Sequence, residues 1–88
     1  MKTEITVYEI PLDERSTPDN QMGGNMEFFA TAKTWKSAIA IAKKESMNEK
    51  TTDGRPLHEM WVEKKDADGD IIEQMAFAKG KPTYQISL

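Results

Sequence analysis

Apolar positions along this chain recur with a period of two almost everywhere and with a helical period once. Residues 4–10, Glu-Ile-Thr-Val-Tyr-Glu-Ile, are rich in β-branched and aromatic side chains. They predict a strand with Ile5 and Val7 on one face and Tyr8 and Ile10 on the other, ended by Pro11, which has no N–H to donate. Residues 26–32 predict a second strand, with Met26, Phe28, Ala30 and Ala32 turned to the core and the small alanines leaving room for a helix. The two strands pair as a long-looped hairpin. Residues 11–25 between them carry Pro11, Pro18, Gly23 and Gly24 without apolar periodicity. They predict a long polar loop, read as a disordered connection in preference to a functional one.

The helical period belongs to residues 34–44. Trp35, Ala38, Ile39 and Ala42 fall on one stripe, which Ile41 widens. Thr34 is the expected N-cap, and Lys43 and Lys44 suit the negative end of the helix dipole. The helix is expected to fade near Met47 and Asn48, before the turn-rich residues 51–56. Residues 57–64 and 71–78 predict two further strands around a tight turn at Asp68-Gly69. A turn over Lys79-Gly80-Lys81-Pro82 leads to a fifth strand over residues 83–88. The reading is one α+β domain over residues 1–88, a single amphipathic helix packed on one antiparallel sheet in the order β-β-α-β-β-β.

Composition narrows the classes. An 88-residue chain supports one small core. It has no cysteine, hence no disulfide and no thiolate metal site, and no apolar run approaches the roughly 18 residues of a membrane span. No signal-peptide segment is expected ahead of the first strand. The expectation is a cytoplasmic protein without membrane contact. The net charge of −3 argues against bulk attraction to nucleic acid. Charge is segregated, however: residues 33–50 carry a local balance of +3 and residues 59–73 one of −4.

Candidate chemistry is sparse. Asp66, Asp68 and Asp70 have the opening spacing of a calcium loop, but loop positions six and twelve fall on Ile71 and Phe77, where such a loop needs Gly and a bidentate Glu. A hairpin turn is the better account, and no metal or cofactor is expected. His58 is the single histidine. Its neighbour Glu59 is expected on the opposite strand face, which leaves the histidine without an orienting carboxylate. Glu59 and Glu63 share a face with Trp61, and Glu73 is expected across from them, a pattern open to acid–base work or to plain solvation. Trp35 is expected in the core. Trp61 is expected on the outer sheet face, either as an interface anchor or covered by Tyr84 or a loop. Lys36, Lys43, Lys44 and Lys50, with Lys33 and Arg55, form either a solvated face or an anion-binding one.

The element order, with a helix written Trp35-x-x-Ala38-x-x-x-Ala42-Lys43 and a charged hairpin after it, resembles small phage-encoded host-takeover proteins, including some anti-CRISPR inhibitors. That resemblance implies a non-enzymatic protein that occupies a surface of a host complex, and it transfers no particular residue. The leading expectation is a non-catalytic protein-binding module, with Trp61, Lys36, Lys43, Lys44, Arg55, Glu59 and Glu63 as candidate partner-binding residues. One rival is a nucleic-acid-binding accessory protein using the helix lysines, Arg55, Lys79 and Lys81. The other is a small enzyme or enzyme subunit using His58 and the hairpin glutamates. The chain is expected to be a monomer, or a homodimer paired through its last strand.

Overall fold

In the computed structural model, which describes residues 3–87, the chain runs β1 (Glu4–Pro11), β2 (Glu27–Ala32), α1 (Trp35–Glu45), β3 (Leu57–Lys65), β4 (Ile71–Ala78) and β5 (Lys81–Ser87). The strands form one antiparallel sheet in the order β2-β1-β3-β4-β5. The α+β order expected from the sequence is the observed one. The topology adds that the chain leaves the β2 edge, crosses the sheet as α1 and returns beyond β1, so β1 lies between β2 and β3.

α1 starts where its sequence says it should. Thr34 is extended, and its Oγ1 accepts the Ser37 N–H at 3.0 Å, satisfying one of the free N–H groups of the first turn. Ala38 and Ala42 are completely buried against Ile5, Val7, Met60, Val62 and Phe77, with Trp35, Ile39 and Ile41 packed around them. Two alanines at the contact let the helix axis approach the sheet closely. No helix among the described residues is long and apolar enough to cross a membrane.

Four expectations require correction. The register of β2 shifts between Val7 and Tyr8: Ala30 pairs with Val7, but Phe28 pairs with Tyr8. The extra residue, Phe29, packs against the core, while Phe28 is 65% exposed and Met26 40% exposed. A bulge shifts the alternation by one residue, so the face changes hands. The last turn is also shorter than expected. Lys79 and Gly80 alone form it, both with positive φ (52° and 80°), and Lys81 and Pro82 already belong to β5. Pro82 is tolerated because β5 is an edge. Leu88, the last residue of the predicted fifth strand, lies outside the described residues.

The loop after β1 is hydrogen-bonded instead of disordered. Leu12 bridges to Gly23 and Thr17 to Asn20, and the Ser16 hydroxyl bonds both the N–H and the carbonyl of Met22, at 2.9 and 3.0 Å. Finally, Glu73 pairs with Lys64, not with the outer glutamates, and lies 3.5 Å from its Nζ. The expected carboxylate cluster of Glu59, Glu63 and Glu73 does not form.

Candidate functional site on the open sheet face

One face of the sheet is covered by α1; the other carries a line of aromatic rings. Register places Phe28, Tyr8, Trp61, Ala76 and Tyr84 side by side on five successive strands. Trp61 and Tyr84 stack at 5.2 Å between centroids and 16° between planes, an arrangement worth about 0.5–1.5 kcal/mol beyond the area it buries. Ala76 between them is completely buried, because the two rings close over it. Phe28 and Tyr84, at the ends of the line, are 65% and 42% exposed.

The next row fixes the indole. Glu63 Oε1 accepts from Trp61 Nε1 at 3.3 Å and from Gln74 Nε2 at 3.2 Å. The Glu63 side chain is only 7% exposed, and Lys65 Nζ stands 4.0 Å from its other oxygen. A buried carboxylate with these partners is satisfied, so Glu63 acts here as the acceptor that holds Trp61 in place. Every buried polar side-chain atom among the described residues has a hydrogen-bond partner.

His58 and Glu59 are closer than strand alternation allows. Ile10 pairs with Glu59 and Pro11 with Leu57, which leaves His58 as an unpaired extra residue in β3. The alternation breaks there, and His58 Nε2 comes within 3.6 Å of Glu59 Oε1. The other Glu59 oxygen accepts the Thr83 hydroxyl at 2.5 Å. The carboxylate stands in the middle of this chain of contacts, whereas nucleophilic catalysis of the serine-protease kind needs the imidazole between nucleophile and carboxylate. His58 also packs under the loop: a Cβ at Gly23 would sit 3.0 Å from His58 Cδ2 and 3.1 Å from Ile10 Cγ2. A side chain at position 23 would therefore press on His58 and Ile10, and His58 is part of what the loop rests on.

The remaining candidates separate. Arg55 grips Asp53, with Nε 2.9 Å from Oδ1 and Nη2 2.8 Å from Oδ2, and also bonds Glu27 at the start of β2. The Arg55 guanidinium, helped by the Thr51 hydroxyl, lowers the Asp53 pKa to about 2. Arg55 thus stands near the β2 edge, engaged in ion pairs. Lys43 and Lys44 lie instead beside Lys79 and Lys81, at the turn into the opposite edge strand. Lys36 is exposed on the same helix face as Lys43, two turns earlier. Asp66, the first aspartate of the supposed calcium loop, accepts the N–H groups of Asp68 and Asp70 through Oδ1 at 2.9 and 3.0 Å, which is the work of a hairpin turn.

The sequence places Phe28 on the core face and gives Tyr8 no role on the outer face. The signal for Tyr8 was present in the alternation of β1; that for Phe28 was hidden by the bulge. Compared with protein families, with characterised proteins and with solved structures, the chain shows no match.

Proposed function

We propose that this protein is a non-catalytic protein-binding module whose contact surface is the open face of the sheet. The observation that carries the reading is the aromatic line itself. Four rings stand side by side on a face that no element of the described chain covers, and Phe28 and Tyr84 expose large apolar surface at its ends. Buried aromatic anchors dominate protein interfaces, and Trp and Tyr are the commonest of them. Trp61 is already oriented by Glu63 and Tyr84, so little conformational freedom is lost when it is covered. The action is occlusion of a partner's surface, the mode of the phage-encoded inhibitors that the element order resembles, and it takes place in the cytoplasm.

The test is affinity capture from the native host, followed by identification of the bound protein and repetition with Phe28→Ser and Tyr84→Ser together. Both rings are exposed, so the double variant is expected to keep the fold, seen as an unchanged circular dichroism spectrum, and to lose the partner. Retention of the partner at wild-type affinity by a folded double variant would remove the sheet face from the reading.

A further inference from the structure

α1 ends beside the β4–β5 turn, and the junction gathers lysines that are far apart in sequence. Ser46 is the joint. It is 3% exposed; its hydroxyl donates to the Lys43 carbonyl at 2.7 Å and accepts the Gly80 N–H at 2.8 Å, while its own carbonyl accepts the Lys79 N–H at 3.1 Å. These bonds tie the two elements together beside an open groove of about 500 Å³. Lys43, Lys44, Lys79 and Lys81 line it together with Ala40, Met47 and Gly80. No aspartate or glutamate lines the groove, and none of the four lysines forms an ion pair among the described residues.

Two local features add weight. Lys79 adopts φ 52°, a left-handed conformation in which Asn or Gly is the usual occupant of such a turn. A cation occupies a position that the backbone disfavours for it, and strain of this kind gathers at working sites. Met47 is 66% exposed, and its sulfur would lie 2.7 Å from a Cβ at position 80. An exposed, adaptable apolar side chain thus lies close against Gly80 in the lining of the groove, and methionine is over-used at binding surfaces.

We propose that this groove docks an acidic segment of another protein, its carboxylates against Lys43, Lys44, Lys79 and Lys81 and one of its apolar side chains on Met47 and Ala40. A phosphate backbone would satisfy the lysines equally well but has nothing to place on Met47. The groove carries no ring on which a base could stack, and a chain of net charge −3 repels a long polyanion beyond the four lysines. The groove lies on the helix side of the sheet, away from the aromatic line, so the inference stands on observations separate from those behind the sheet-face reading.

Fluorescence anisotropy tests it, with a labelled Asp- and Glu-rich peptide carrying one central leucine as the probe. Binding is expected at low salt and is expected to weaken as salt is raised, because exposed charges are screened. Replacing the leucine by serine is expected to weaken it several-fold. Lys43→Gln and Lys81→Gln are each expected to weaken it by about two- to fivefold, the range of a single exposed ion pair. Lys79→Asn is expected to do the same with an unchanged or raised thermal midpoint, because asparagine suits the turn; weaker binding there is not unfolding. Absence of binding at low salt would overturn the proposal, as would equal binding of the leucine and serine peptides. Tighter binding of an oligothymidylate of matched charge would reassign the groove to nucleic acid. Displacement of the peptide by self-association, followed by light scattering, would make the occupant a second copy of this chain.

Discussion

Ser46 and Asp53 are two polar side chains of opposite weight in this small fold, one buried and one exposed. Ser46 satisfies the Gly80 N–H and ties the end of α1 to the last hairpin. Ser46→Ala leaves that N–H without its partner and is expected to cost about 1–3 kcal/mol, the range for an orphaned buried donor; urea denaturation measures it. Asp53 is bound by Arg55 through two nitrogens, and its pKa falls to about 2 from an ordinary 3.8. A carboxylate whose folded pKa is depressed contributes stability that is complete above its unfolded value and is lost as pH falls toward the folded one. The contribution of this latch is therefore expected to persist above about pH 4 and to disappear between there and about pH 2. The pair is exposed, so its effect on stability is small. The direct check is the carboxyl chemical shift of Asp53 titrated by NMR: Arg55→Gln is expected to return its midpoint toward 3.8.

At the scale of elements, the decisive feature is the bulge in β2. Phe28 and Phe29 are adjacent and chemically identical, yet Phe29 packs against the core while Phe28 is 65% exposed. Phe29→Ala is expected to destabilise the protein by about 2 kcal/mol, less than the roughly 3–5 kcal/mol of a fully buried ring. Phe28→Ser is expected to remain within about 0.5 kcal/mol of wild type, as exposed substitutions do. Thermal or denaturant melts of the two variants check the assignment, and equal effects would contradict the register. α1 shows the opposite case. Its stripe, its Thr34 cap and its basic last turn agree at the level of propensity, periodicity and electrostatics, so its start was legible to the residue, while its end, expected near Met47 and Asn48, falls at Glu45. The bounds of β4, Ile71–Ala78, were legible as well, although Ile72 is an extra residue in its pairing with β3. Where a bulge intervenes, at Phe29 and at His58, alternation misassigned the neighbours, because a single inserted residue reverses the facing of everything on one side of it.

Over the whole molecule, the helix divides the surface into two regions of different character. Beyond the sheet lies the aromatic line, pinned through Trp61, Glu63 and Tyr84. On the helix side, at the junction with the last hairpin, lies the groove with Lys43, Lys44, Lys79 and Lys81. The segregated charge seen along the chain thus becomes a local cationic groove, although the net charge is −3. Composition alone excluded a disulfide framework, because there is no cysteine to build one. Local periodicity and turn chemistry determined the number, type and order of the elements, since amphipathic stripes and capping depend on residues only a few positions apart. The strand order β2-β1-β3-β4-β5 was decided only in three dimensions. With it came the alignment of Phe28, Tyr8, Trp61 and Tyr84, the meeting of Lys43 with Lys79 through Ser46, and the withdrawal of Arg55 into ion pairs with Asp53 and Glu27. The physical reason is one of distance along the chain: apart from the Asp53–Arg55 pair, these contacts join residues far apart in sequence, and the alignment of the rings depends on strand register and on the register shifts between strands, which no local pattern encodes.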